Sequence, residues 1–367
     1  MEINSVLKLR PSVALVIGDD FTEFFNSNTR EILRLEINPE ISNLLFKFDG
    51  ILTVGSFISD LGNGDEDVEG LMLLLDYLNE RSVLINVDVD YPKYAYSKFK
   101  RVFNLLEDYY LNQSDVIKAF EKITKSHVVI VGLGAVGTWV GQCLAMSGVQ
   151  NFTFIDPDNV SLSNLHRQFG YKEQDVNCKK TISFTKNIRN LDDNIKCNII
   201  NKELSFELLN SLNHKYFDLV INCADFPTVD RTSQIIGEFC MENDIKHIIG
   251  GGYNLHQSLI GQVVFPGKTA CVECFKMHLE EINEIDTNNI QKLENKDRKV
   301  GSFPPLSALS ASIAANEAFK ILANLQNFSM INKRTEFSTQ DLNFSNLQID
   351  RRLDCKWCGT HGKYFNL

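Results

Sequence analysis

Short alternating apolar runs open the chain. Val13-Ala-Leu-Val-Ile, the Phe24-Phe25 pair and the stretch from Thr29 to Ile37 surround the turn-forming Gly18-Asp19-Asp20, and this predicts three strands in a short meander. Apolar residues then recur at helical spacing from Pro39, from Phe57 and from Val68, before a closing strand at Ser82-Val-Leu-Ile-Asn. Strands followed by helices predict a small winged-helix-like α+β domain over residues 1–90. Residues 91–126, opening Tyr91-Pro-Lys-Tyr-Ala-Tyr, are polar and predict a helical linker, with one or two helices ahead of the next domain.

At His127 the pattern changes. Val128-Val-Ile-Val is a short buried run, Gly132-Leu-Gly-Ala-Val-Gly137 follows, a helical stretch continues through Met146, and Phe152-Thr-Phe-Ile-Asp156 reads as the next strand. This is a β-α-β unit, so residues 127–367 are expected to form an α/β, Rossmann-like domain. Asp218-Leu-Val-Ile-Asn-Cys-Ala-Asp225 reads as a further buried strand ending in an acid. Pro304 to Leu322 is helical in pattern and rich in small residues, suited to packing against a sheet or a second subunit. The charged run that starts at Leu279 and continues past Lys292 has no even period and reads as a mobile surface segment or lid.

Composition narrows the function classes. With 367 residues, 44% hydrophobic, 23% charged and a net charge of −10, the chain reads as a globular protein with room for a sizeable core, and its acidity argues against a nucleic-acid backbone as partner. No run of eighteen apolar residues and no signal-like start are present, so no membrane span and a cytoplasmic location are expected. Of nine cysteines, Cys271, Cys274, Cys355 and Cys358 form two C-x-x-C pairs, a set that suits a closed, structural tetrahedral zinc. His278 and His361 lie near the pairs and are read as solvated.

The glycine run carries the first chemistry. Gly132, Gly134 and Gly137 allow a tight turn, close approach of backbone to a phosphate, and close helix–strand packing, while Asp156 is placed to accept hydrogen bonds from ribose hydroxyls. That pattern alone does not separate ATP from NAD. The next segment, Asp156-Pro-Asp-Asn-Val-Ser-Leu-Ser-Asn-Leu-His-Arg-Gln168, crowds acids, an amide, an arginine and a glutamine into one loop, which a dehydrogenase has no evident need for.

With the glycine loop, this D-x-D-x-V-x-x-S-N-L-x-R-Q run, the lysine of Asp175-Val-Asn-Cys-Lys-Lys180 and the later Asp225, the chain resembles the ThiF/MoeB/HesA family, relatives of ubiquitin-activating enzymes. The resemblance implies adenylation of a carboxylate with ATP and Mg2+. It implies that Asn164, Arg167 and Gln168 contact the phosphates, that Lys180 steadies them in the transition state in preference to Lys179, and that Asp225 holds magnesium. Asp158 is a lesser candidate, equally readable as a turn residue. Homodimerisation is also implied, with an arginine supplied in trans from the segment before the nucleotide domain; Arg101 is chosen there over Lys98 and Lys100. The segment Gly250-Gly-Gly-Tyr-Asn aligns with backbone near the acceptor carboxylate, or is a simple loop.

Leu9-Arg-Pro-Ser-Val, the Asp49-Gly50 dipeptide and Leu78-Asn-Glu-Arg-Ser-Val-Leu-Ile are similar to PqqD-like recognition domains, which hold a leader peptide as an added strand. The alternative for residues 1–90 is a packing or dimerisation module. Together the two resemblances imply a family branch that acts on a ribosomally made precursor peptide with a leader segment. The rival expectations are activation of a sulfur-carrier protein, an NAD-dependent oxidoreductase and a silent binding module.

Overall fold

The computed structural model describes residues 2–37, 39–61, 65–250, 252–254, 256–283, 301–326 and 328–365. Most of the charged segment expected to act as a lid, residues 284–300, lies outside them, as does Gly251. The chain divides into two compact units, Met1–Lys122 and Ile123–Leu367.

The first unit contains β1 (Val6–Leu9), β2 (Val13–Ile17), β3 (Thr22–Asn26), β4 (Ile32–Leu35), α1 (Pro39–Leu45), β5 (Asp49–Thr53), α2 (Val54–Leu61), α3 (Asp65–Glu80), β6 (Leu84–Asn86), α4 (Lys93–Glu107) and α5 (Gln113–Lys125), whose last turn crosses into the second unit. The meander is present as the antiparallel sheet β2-β3-β4. Strands β1 and β5 were not foreseen; β1 is the centre of a second antiparallel sheet, β5-β1-β6. Leu7, Phe24, Phe48, Phe57, Leu75, Leu78 and Leu84 form the core between these strands and helices.

The two helices of the expected linker fold with this unit. Phe99, Phe103 and Leu106 of α4 are buried, and Phe103 packs on Phe120 of α5 with ring centroids 4.5 Å apart. Polar ties join α4 to β1 and its neighbours: Lys8 Nζ donates to Glu107 at 2.9 Å, and the buried Arg10 donates to the carbonyls of Leu84 and Tyr110.

The second unit contains β7 (His127–Val131), α6 (Ala135–Met146), β8 (Asn151–Ile155), α7 (Lys180–Arg189), β9 (Lys196–Ile200), α8 (Phe206–Asn210), β10 (Leu219–Asn222), α9 (Val229–Glu242), β11 (His247–Ile248), β12 (Gly252–Asn254), β13 (Gln257–Ile260), β14 (Val263–Val264), α10 (Val272–Asn283), α11 (Pro304–Leu322), β15 (Lys333–Ser338) and β16 (Asn343–Gln348). The main sheet has the order β14-β11-β10-β7-β8-β9, parallel throughout except for β14. From β7 the chain winds out through β8 to β9 and then returns to the other side of β7 at β10. That reversal is the switch point at which such sheets open a crevice beyond their carboxyl ends. Strand β10 is buried along its full length and β7 from Val128 to Val131, as the continuous apolar runs predicted. A separate antiparallel sheet, β12-β13-β15-β16, follows, and α11 packs on α6 and β13. Among the described residues no helix is long and apolar enough to cross a membrane.

Candidate functional site

The glycine loop sits at the switch point. Gly132 leaves β7 with φ +88°, a conformation that disfavours any side chain, and a Cβ there would meet the backbone nitrogen of Ala224 at 2.6 Å. The turn after β7 and the turn after β10 therefore touch, which brings the glycine loop beside the residue preceding Asp225. At Gly137 a Cβ would overlap the carbonyl oxygen of Gly132, so the first turn of α6 lies directly on the loop. Gly134, the N-cap of α6, is different: a Cβ would find only Gln168 Nε2, 4.0 Å away. The space in front of the α6 amino terminus is open, where free N–H groups and the helix dipole favour an anion.

Asp156 directly follows β8 and is buried, accepting hydrogen bonds from the backbone N–H groups of Leu133 at 2.6 Å and Asp158 at 2.8 Å. Burial raises its pKa, and the nearby Lys180 ammonium opposes that rise. Lys180 is the first residue of α7, buried at 7% exposure, and donates to Asp158 Oδ2 at 2.7 Å with Asp156 Oδ2 3.9 Å away. The structure thus joins Asp156, Asp158 and Lys180 in one cluster around the glycine loop. Asp158 is more than a turn residue here, because it holds the lysine from the solvent side. Lys179 instead donates to the Pro157 carbonyl.

The loop between β8 and α7 places the remaining candidates. Asn164 Oδ1 accepts the Ser161 N–H, fixing the turn that carries Arg167 and Gln168. Gln168 is buried at 5% exposure, and among the described residues its Oε1 has no hydrogen-bond partner. A buried acceptor left unpaired costs stability unless a donor from a ligand or water completes it, and the Nε2 of the same amide is the atom that faces Gly134. Arg167 is partly exposed; its Nη1 donates to the Ser163 carbonyl at 3.0 Å and its Nε to the Tyr253 hydroxyl at 3.3 Å. Asp225 is exposed beyond β10, and Thr228 caps α9 by accepting the Arg231 N–H, so Asp225 is not needed as the cap. Its carboxylate is available for a hard cation. Arg101 is exposed on α4, in the first unit.

The four cysteines of the two pairs are all buried, and their sulfurs lie within 4.8 Å of one another. Individual separations are 3.8 Å for Cys271–Cys274, 3.6 Å for Cys271–Cys355 and 3.3 Å for Cys274–Cys358. A tetrahedral zinc with Zn–S bonds of about 2.3 Å sets its sulfurs about 3.8 Å apart, so the set fits that ion. Backbone N–H groups of Arg352 and Trp357 point at the sulfurs of Cys274 and Cys355, as thiolates require. A hydrogen bond from Cys271 lowers the pKa of the Cys274 thiol. Glu273 and Lys356, each inside one C-x-x-C, pair at 2.8 Å across the two halves. Sequence reasoning missed that pair, although the two residues occupy the x positions of facing motifs. It also missed Tyr253 as the partner of Arg167.

Fold and site define a doubly wound nucleotide-binding α/β protein with a four-cysteine cluster. Residues 111–358 match the ThiF family, and the chain belongs to that family. It is 26% identical to the molybdopterin-synthase adenylyltransferase of Escherichia coli K12 over 68% of this chain and 95% of that protein. It is 28% identical to SUMO-activating enzyme subunit 2 of Dictyostelium discoideum over 42% of this chain. The chain spans less than half the length of the first curated relatives it matches, 23% in the case of that subunit. In fold it is similar to E. coli MccB, solved with ATP, at TM-score 0.75 and 20% identity over 96% of this chain and 99% of that one. The microcin C7 biosynthetic enzyme MccB in complex with N-formylated MccA gives TM-score 0.76 at 19% identity, with the same coverage.

Proposed function

We propose that this protein uses ATP to adenylate a carboxylate on a ribosomally made precursor peptide, as the activating step of that peptide's modification. The observation that carries the reading is the extent of the fold. The first unit lies largely outside the ThiF-matched residues 111–358, yet the likeness to MccB, solved in complex with the peptide MccA, runs over 96% of the chain.

In this reading the carboxylate oxygen forms a bond to the α-phosphorus while the bond to the leaving pyrophosphate breaks. Two anions meet and charge gathers on the leaving group, so fixed cations lower the barrier. The α6 amino terminus at Gly132, Gly134 and Gly137 receives the phosphates, Asp156 the ribose, and Gln168 completes its amide bonds on the nucleotide. Lys180 and Arg167 offset the developing charge, and Asp225 holds Mg2+. Asp158 and Asn164 keep Lys180 and the loop in place. Arg101 acts in the site of a partner copy, which requires a homodimer. The zinc in Cys271, Cys274, Cys355 and Cys358 is structural, since four thiolates leave no open position. Residues 1–90 hold the leader segment at an exposed strand edge, residues 91–126 follow as the connecting helices, and residues 127–367 carry the chemistry.

Activation of a sulfur-carrier protein is the second reading, favoured by the match that covers 95% of the E. coli molybdopterin-synthase adenylyltransferase. ATP–pyrophosphate exchange separates them. Exchange that depends on a precursor peptide and is lost in Lys180→Ala and Asp225→Ala supports the first. Exchange that responds only to a carrier protein with a free Gly-Gly end supports the second. No exchange with either, together with tight NAD binding, would overturn both.

A further inference from the structure

Arg167 is held at two of its three guanidinium nitrogens and, among the described residues, left free at the third. Nε donates to the hydroxyl of Tyr253 at 3.3 Å. Nη1 donates to the Ser163 carbonyl at 3.0 Å and lies 2.7 Å from His166 Nε2. Among the described residues Nη2 has no partner. Two of these anchors, Ser163 and His166, belong to the same loop as the arginine. The third comes from elsewhere: Tyr253 lies on β12, in the antiparallel sheet, paired opposite Ser258 of β13. Ser258 in turn is buried and its hydroxyl donates to the Leu306 carbonyl of α11. The tyrosine therefore stands on a braced strand, whereas the loop that carries Arg167 has several exposed residues, including Ser161, Leu162, Ser163 and His166.

From this geometry we infer that Tyr253 is a positioning residue for Arg167. An arginine side chain has many rotamers, so a free one must be ordered each time it meets an anion. Fixing Nε and Nη1 beforehand leaves Nη2 presented in a set direction. Preorganised donors of this kind stabilise charge that develops during a reaction without reorganising at that moment. Accepting from Arg167 also leaves the hydroxyl's own proton unused among the described residues, so the bond does not compete with a hydrogen bond from Tyr253 to a bound group. The inference rests on the adenylation reading for what Arg167 faces, and not for the link itself.

The test is a double-mutant cycle on the full chain with wild type, Tyr253→Phe, Arg167→Ala and the double variant. Phenylalanine keeps the ring in β12, and an unchanged melting temperature checks that the sheet is intact. In pyrophosphate exchange, Tyr253→Phe is expected to lower kcat about tenfold with the KM for ATP changed less than twofold, the mark of an interaction made in the transition state. In the Arg167→Ala background the same substitution is expected to change kcat less than twofold. Equal losses in both backgrounds, or no loss in the wild-type background, would overturn the inference. If the wild type shows no exchange, the adenylation reading has failed, and the link is read without nucleotide from the 15N–1H signal of the Arg167 Nε, assigned by its loss in Arg167→Ala. A marked shift or broadening of that signal in Tyr253→Phe supports the link, and an unchanged signal overturns it.

Discussion

At the carboxyl edge of β7, β8 and β10, polar groups are left in reserve among the described residues: Gln168 Oε1 is buried without a partner, Asp225 is exposed, and a Cβ at Gly134 would meet only Gln168 Nε2, 4.0 Å away. Around the cysteines the opposite holds. All four sulfurs are buried and mutually in contact, and the backbone N–H groups of Arg352 and Trp357 turn toward them. Both regions are built from short motifs of fixed spacing. The difference teaches which motif expects a transient ligand and which expects a permanent one, because an exchanging ligand needs an entrance and groups that stay unsatisfied until it arrives.

The contrast breaks most severely if the permanent ligand is removed. Structural zinc in small thiolate sites contributes on the order of 10 kcal/mol, so Cys274→Ala or prolonged chelation is expected to unfold the C-terminal part of the second unit. Elemental analysis should find one zinc per chain, and calorimetric melting should shift steeply downward with chelator. An unchanged melting curve in a zinc-free sample would remove the structural role.

At the open site the largest effect is kinetic. Lys180→Ala is expected to slow exchange by about 10²–10³-fold, the usual cost of one preorganised donor. Stability should fall much less, because Asp156 keeps its bonds from Leu133 and Asp158. Two glycines at the start of α6, its N-cap Gly134 and Gly137, sharpen the comparison further. Gly137→Ala forces a methyl into the Gly132 carbonyl and should cost about 2–3 kcal/mol in urea unfolding. Gly134→Ala meets open space, so folding should be unchanged while ATP affinity falls; a stable protein with wild-type affinity would argue that the anion binds elsewhere.

The smallest effect concerns the closed interior of the sheet. His247 on β11 is fully buried, its Nε2 has no partner among the described residues, and burial lowers its pKa from 6.5 to about 4. The unfolded chain takes up this proton first. Stability is therefore complete above about pH 6.5 and declines as the pH falls toward 4, by roughly 2–3 kcal/mol from this group. Urea titrations at pH 7 and 4.5 should show that slope, and His247→Gln should flatten it.

Much of this was legible in the residues. The glycine loop, the acid just beyond β10 and the cysteine pairs are local patterns whose chemistry follows from spacing. The strands β1 and β5 were not, because each is a short run whose partners lie far along the chain: Val6 faces Thr53 and Leu9 faces Leu84. In the stretch read as a linker, Phe99, Phe103 and Leu106 do recur at helical spacing, but the lysines and tyrosines around them masked a buried face. The bond from Arg167 to Tyr253 had no local signal at all. It depends on the register of a separate sheet.

The pairing of Cys271 with Cys355 across 84 residues also sets an order of events during synthesis. A ribosome delivering about 5–20 residues per second brings out the second cysteine pair roughly 4–17 s after the first. Under the zinc proposal, Cys271 and Cys274 supply only half of the ligand set during that interval and are open to oxidation or to the wrong metal. Once Cys358 emerges, the cluster closes and fixes in place the surrounding core of Val264, Phe275 and Trp357, so completion of this unit waits on residues made near the end of its own segment.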